Sequence, residues 1–256
     1  MSDKPDRLRI LLLGGTSEAR SLAGRLTAGE AGAVDLTVSL AGRTRHPASM
    51  EGSVRLGGFG GVDGLADYLQ NHAVDVLVDA THPYAARISA NAERACAMQA
   101  IPRLALNRPA WRPLPGDAWI EVKDADEAAA ALPPLGKRIF LSIGTAELGA
   151  FQQLDDTWFL VRTVDEPTAP PPLAACTLIQ GRGPFTVADE EALLAAHNIE
   201  VVVSKNSGGT GARAKLDAAR SRGLPVVMIG RPTPPAPPVV ETVEQVIDWL
   251  VDNRPV

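Results

Sequence analysis

Cysteine is nearly absent: 256 residues carry two, Cys96 and Cys176. Two thiols cannot build a disulfide framework or a thiolate metal cluster. Histidine is scarce too, with four residues, and no His-Glu-x-x-His or Cys-x-x-Cys pattern occurs, so no metal site is indicated. Charge of one sign is not in large excess. Residues 1–125 balance 14 basic against 14 acidic side chains, and the remainder carries 11 against 16. Neither half is basic enough for a general nucleic-acid binder. Long apolar runs are missing as well. The first, Ile10–Leu13, ends at Gly14-Gly15, too short for a signal-peptide core or a membrane span. A cytoplasmic protein with reduced thiols, touching neither membrane nor nucleic acid, is expected. At 45% hydrophobic residues and net charge −5, the chain is no disordered one.

What is present is alternation. Short Val/Ile/Leu runs at Leu8–Leu13, Val34–Ser39, Ser53–Leu56, Val74–Asp79 and Pro102–Leu106 are separated by helical patterns at Ser17–Leu26, Val62–Asn71 and Tyr84–Gln99. Continuously apolar strands between helices predict a parallel sheet covered on both faces. The pattern restarts with a helix at Asp124–Leu132 and strands at Arg138–Ser142, Phe159–Val164 and Cys176–Gln180. It continues with helix Thr186–His197, strand Ile199–Val203, helix Gly211–Arg222, strand Pro225–Ile229 and helix Val243–Val251. Two α/β halves follow, with a division at residues 1–125 and 126–256. The prolines of Pro167–Pro172 and Pro232–Pro238 read as stiff exposed loops or connectors.

Four segments carry the chemistry. Gly14-Gly15-Thr16-Ser17-Glu18 joins the first strand to the first helix, where backbone N–H groups and the helix dipole favour a phosphate. Thr16 stands where the dinucleotide fingerprint has another glycine, and the Thr16 and Ser17 hydroxyls are expected to donate instead; the alternative is a tight turn with Ser17 as helix cap. At the end of the second strand, NAD-specific folds carry an acid on the ribose hydroxyls. Here stands Ser39, with Arg43 and Arg45 beyond, a set suited to the extra phosphate of NADP(H), or else a solvated basic loop.

The third segment, Asp79-Ala80-Thr81-His82-Pro83-Tyr84, ends the fourth strand, on the edge that lines the ligand crevice of an open sheet. His82 there would touch nicotinamide, shuttle a proton, or serve only as a structural hydrogen-bonding group. Arg87 follows on the next helix. The fourth is Ser204-Lys205-Asn206-Ser207-Gly208-Gly209-Thr210-Gly211, a donor-rich loop with one lysine that suits carboxylates or phosphates; it lacks the ending of a P-loop. Gly144-Thr145 and Gly181-Arg182-Gly183-Pro184-Phe185 are weaker signals of the same kind. Residues four beyond Tyr68 and Tyr84 are His72 and Ile88, so the Tyr-x-x-x-Lys pair of short-chain dehydrogenases is missing.

Taken together, Ile10–Arg20, Asp79–Ala85, Ile101–Trp111, Ser204–Lys215 and Gly230-Arg231-Pro232 resemble the precorrin-6A reductase family of cobalamin biosynthesis. The resemblance implies two Rossmann-like α/β domains with mostly parallel sheets and the macrocycle held in a cleft between them. It implies NADPH-dependent reduction of a macrocycle double bond, giving precorrin-6B. Cofactor contacts would then fall on Gly14, Gly15, Thr16, Ser17, Glu18, Ser39, Arg43, Arg45, Thr81 and His82. The macrocycle carboxylates would fall to Tyr84, Arg87, Thr145, Lys205, Asn206, Ser207, Gly208, Gly209 and Thr210, with Arg182 a further candidate. By motif position His82 and Lys205 are the candidate proton donors, the ring nitrogens or water being the alternatives. Two other readings fit the residues: an NADP-dependent reductase of another small anion, and an NADPH-binding sensor without catalysis.

Overall fold

In the computed structural model, which describes residues 7–41 and 50–253, the chain forms two compact units. The first comprises residues 1–108 and 232–256, the second residues 109–231. This revises the division at 125/126 in two places: the crossover comes earlier, and the C-terminal segment returns to the first unit.

The first unit begins β1 (Leu8–Leu13), α1 (Ser17–Thr27), β2 (Val34–Leu40), β3 (Ser53–Leu56), α2 (Val62–Asn71), β4 (Val76–Asp79), α3 (Ala86–Gln99) and β5 (Arg103–Leu106). The second unit follows: β6 (Ala118–Val122), α4 (Ala125–Ala131), β7 (Arg138–Ser142), a 3-10 helix (Thr145–Phe151), β8 (Trp158–Thr163), β9 (Ala175–Gln180), α5 (Val187–Ala196), β10 (Val201–Lys205), α6 (Ala214–Ser221) and β11 (Pro225–Ile229). The chain then returns to the first unit for β12 (Val239–Val240) and α7 (Val243–Asp252).

The first sheet runs β12-β5-β4-β1-β2-β3, every pair parallel. That is the winding of dinucleotide-binding folds, with its order reversing between β1 and β4. The second sheet runs β6-β11-β10-β7-β8-β9, also parallel. It repeats the winding from β7, with its own reversal between β7 and β10. In both sheets the outermost strand arrives out of turn. β6 precedes its sheet's central strand, and β12 joins the first sheet only after the whole second unit.

Side-chain alternation along β1 builds the two cores of the first unit. Leu8, Ile10 and Leu12 pack with Leu22 and Leu26 of α1 and Val246 and Leu250 of α7. Leu11 and Leu13 face Leu65 and Leu69 of α2 and Ala92 and Ala95 of α3. Burial on both faces is why these strands read as unbroken apolar runs. In the second unit Phe140, Leu160, Val202 and Val226 pack against Leu194 of α5 and Leu216 of α6. Four of the described helices start on side-chain caps: Thr16 for α1, Asp124 for α4, Thr186 for α5, and a Thr242–Gln245 capping box for α7. Among the described residues no helix is long and apolar enough to cross a membrane.

Candidate functional sites

Parallel sheets bind ligands at the carboxyl ends of their strands, where the order reverses. In the first unit that edge is tied together by backbone bonds. The Gly14 N–H donates to the Ser39 carbonyl at 2.9 Å, and the Ala80 N–H to the Leu13 carbonyl at 2.9 Å. Thr16 completes the junction. Its hydroxyl accepts from the Ala19 N–H at 3.0 Å, capping α1, and donates to the Ala80 carbonyl at 2.8 Å. Thr16, not Ser17, is therefore the cap. Its only hydroxyl proton is committed to β4, which corrects the expectation that this hydroxyl donates to a phosphate; Thr16 offers a ligand its backbone N–H.

Gly14 is confined, since a Cβ there would meet Val38 at 3.1 Å and Leu40 at 3.3 Å. Gly15 is not: its φ of +112° demands glycine, and a Cβ would meet nothing within 4 Å. The turn thus leaves open space over the start of α1. Ser17 donates to the Glu18 carboxylate at 3.1 Å, and Arg108 donates to the same oxygen at 2.6 Å. Arg108, which the sequence did not single out, balances an acid that would otherwise oppose an anion at this helix start.

Ser39 is buried at the end of β2, 6% exposed. Arg43 and Arg45 lie outside the described residues. At the end of β4, the buried Asp79 accepts from the Thr81 N–H at 3.1 Å and the Thr81 hydroxyl at 2.7 Å. Asp79, Thr81 and His82 line a cleft of about 230 Å³ with Ser89, Asn107 and Thr233–Ala236. The Tyr84 N–H donates to His82 Nδ1 at 3.3 Å, so a neutral His82 carries its proton on Nε2. Tyr84 lies beside it, the ring centroids 5.6 Å apart. The α3 positions on the cleft are Ala86, Ser89, Ala90 and Glu93. Arg87 is exposed on α3 and is not among the residues that line this cleft. The proline segment 232–238 is a connector that also walls this cleft, held by Arg103, which donates to the Ala236 carbonyl at 2.5 Å. Nearby, burial pushes the Cys96 thiol up to about 12, so it stays protonated and inert. A larger cavity, about 470 Å³, opens at the amino ends of β2 and β3 among Arg7, Gly29, Gly32 and Gly52. It lies at the opposite edge of the sheet from these groups.

In the second unit, the loops after β7 and β10 meet at the reversal point. Lys205 Nζ donates to Glu147 Oε1 at 2.5 Å, joining the end of β10 to the 3-10 helix that begins at Thr145. Thr145 is exposed beside it, after Gly144 at φ +85°. The structure thus brings Thr145 and Lys205 to one sheet edge. Asn206 Oδ1 accepts from the Trp111 N–H at 2.7 Å and its Nδ2 donates to the Trp111 carbonyl at 3.0 Å. Both ends of that amide help to fix the loop. The Trp111 indole N–H donates to the Gly209 carbonyl at 2.7 Å. Arg231 donates to the carbonyls of Asn206 at 2.7 Å, Ser207 at 3.0 Å and Pro109 at 3.2 Å. The loop is therefore rigid before any ligand arrives. The Ser207 hydroxyl makes a long 3.5 Å contact to the Lys205 carbonyl, and Thr210 is exposed.

Beneath this loop lies a buried charge cluster the sequence did not reveal. Arg162 and Glu190 pair at 2.5 and 3.0 Å with side chains 11% and 1% exposed. The guanidinium stacks between Phe185, 4.1 Å away, and Phe140, 4.8 Å away. Phe185 belongs to the loop of Arg182, which is exposed. A Cβ on Gly183 of that loop would sit 2.8 Å from the Gly211 carbonyl. Lys215, 4% exposed, donates to the Ala212 carbonyl at 3.1 Å. Burial pushes its ammonium down to about 8, against the attraction of Glu190.

The family model for "Precorrin-6x reductase CbiJ/CobK" matches residues 9–251. The chain belongs to this reductase family. It is 52% identical to the precorrin-6A reductase of Rhodococcus erythropolis, over 94% of this chain and 97% of that one. It is 46% identical to that of Rhodobacter capsulatus, over 96% of each. The solved structure of CobK precorrin-6A reductase superposes with a TM-score of 0.90 at 45% identity, covering 95% of this chain and 96% of that one. That match also identifies both units as Rossmann-like.

Proposed function

We propose that this chain reduces precorrin-6A, in the cytoplasm, with NADPH as hydride source, giving precorrin-6B. The observation that carries this reading is the 52% identity to a precorrin-6A reductase over nearly the whole length of both chains. The cofactor residues fit. The Gly14-Gly15 turn is open over the start of α1, and Ser39 stands where an NAD-specific fold needs an acid. Gly14, Gly15, Thr16, Ser17 and Glu18 would hold the diphosphate, chiefly through backbone N–H groups. Ser39, Arg43 and Arg45 would take the 2′-phosphate, and Thr81 and His82 the nicotinamide side of the cleft. The cofactor supplies hydride when bound.

On the other unit, Lys205, held against Glu147, is the cation of a donor-rich loop, a set that suits the macrocycle's many carboxylates. Lys205, with Thr145, Ser207, Thr210 and the amides of Gly208 and Gly209, orients the macrocycle. Lys205 or His82 delivers the proton. Replacing Lys205 with alanine is expected to raise the macrocycle KM about 10–100-fold, the worth of one charge-assisted contact, with NADPH affinity nearly unchanged. Steady-state kinetics beside a cofactor titration checks it; loss of NADPH affinity would move the loop to the wrong ligand. The whole reading is tested by following nicotinamide oxidation by the purified chain with precorrin-6A, NADPH against NADH. Turnover favouring NADPH supports it. Tight NADPH binding without turnover would overturn the substrate, and the cobalt-containing macrocycle would be tried next.

A further inference from the structure

The geometry points to Arg55, on β3, as a reader of the cofactor's 2′-phosphate, a role that rests on the NADPH reading above. Arg55 pairs with Ser39 in the β2–β3 register, so the two residues sit side by side at the carboxyl edge of the first sheet. That is the position from which dinucleotide-binding folds discriminate between cofactors. Arg55 Nη1 donates to the Ser39 hydroxyl at 3.4 Å and to the Gly57 carbonyl at 2.6 Å, and Nη2 donates to the Gly58 carbonyl at 2.8 Å. The guanidinium lies over the Phe59 ring, its carbon 3.8 Å from the centroid, with the Tyr68 ring at 5.3 Å.

Two features separate this arginine from an ordinary surface cation. Its hydrogen-bond acceptors among the described residues are two carbonyls and a hydroxyl, with no carboxylate, so its charge is not neutralised. Its orientation is already set by the aromatic face and by both terminal nitrogens. An anion therefore pays little ordering cost to meet it, and a planar fork suits a phosphate. The longest of its contacts, to Ser39, is the one a phosphate oxygen at this edge would take over. Ser39 then makes chemical sense as well: an acid there would pair with Arg55 and cancel it.

The test is direct binding, read by nicotinamide fluorescence on the full chain without macrocycle, for NADPH and NADH. The proteins are the wild type, Arg55→Ala, Arg55→Lys and Ser39→Asp. Arg55→Ala is expected to weaken NADPH about 10–100-fold and NADH less than about threefold. Its NADPH affinity should also depend less on salt. Arg55→Lys keeps the charge without the fork and should fall between. Ser39→Asp, which leaves the Gly57–Gly58 contacts alone, should also lose NADPH preference, and guards against misfolding of the alanine variant. Equal weakening of both nucleotides in Arg55→Ala, or unchanged NADPH binding, would overturn the role of Arg55 and leave the cofactor reading standing. A wild type that binds both nucleotides alike would overturn both, and would show before any variant is made.

Discussion

Replacing Gly208 with alanine should abolish productive macrocycle binding and destabilise the second unit. The residue sits at φ +69°, and an added Cβ would fall well inside contact with the Pro109 carbonyl oxygen and Arg231 Nη2. Neither neighbour can yield cheaply. The Pro109 contact is with main chain, and Arg231 is held by the loop carbonyls of Asn206 and Ser207 and by the Pro109 carbonyl. The conformation alone costs about 1–3 kcal/mol for a residue with a Cβ. Displacing the loop adds the loss of its bonds to Trp111 and Arg231, roughly 1 kcal/mol each. We expect a fall in stability of about 3–5 kcal/mol, and macrocycle kcat/KM lower by at least about 100-fold through loss of loop positioning. With the cofactor placed on the first unit as proposed, NADPH affinity should hold. Gly223→Ala is the control: φ is +65°, yet a Cβ there meets nothing within 4 Å, so it carries only the conformational cost. Thermal melting of both variants, with macrocycle kinetics, separates the two. A Gly208→Ala protein no worse than Gly223→Ala would mean that the loop has slack.

The same residues show which parts of the site could be read in advance. Strands such as Leu8–Leu13, Arg138–Ser142 and Pro225–Ile229 agree to the residue with the sequence-based expectation, because burial on both faces leaves an unbroken apolar signal. β6 was not foreseen. It is five residues long, only partly buried, and occupies a sheet edge, so neither apolar run nor clean alternation marks it. β12 has two residues behind a proline run. Missing those two edge strands is what displaced the domain boundary. At the site, glycines and Lys205 were legible because their chemistry is local. The roles of Thr16, Asn206 and Arg231 were not, because their partners lie 64, 95 and up to 122 residues away. Sequence shows a donor; it does not show whether the protein has already used it. Ile101–Trp111 and Gly230-Arg231-Pro232 carried the family resemblance without an evident reason, and the loop clamps supply one.

Glu190→Ala carries the second large effect. It strips Arg162 of its bidentate partner while the guanidinium stays buried between Phe140 and Phe185. An ion left unpaired in such a place costs about 3–5 kcal/mol. Because Phe185 rests on Arg162, the loop carrying Gly183 should loosen against Gly211, and macrocycle KM should rise with the fall in stability. Lys215 adds a pH signature. Its folded pKa, about 8, lies below the ordinary 10.5, so the unfolded chain binds more protons between those values. Stability from this group therefore rises as pH climbs through that window, and the penalty is fully present below it. Glu190 is the charge that holds the ammonium up. Without it the folded pKa drops further, and the rise should begin below pH 8. The double variant Glu190→Leu with Arg162→Met removes both charges at once. It should recover most of the lost stability, since buried pairs replaced by apolar groups of similar size are often neutral. Denaturant titrations of the single and double variants from pH 6 to 10 give the coupling directly. If the double variant is as unstable as Glu190→Ala, the cost lies in packing and not in an unpaired charge.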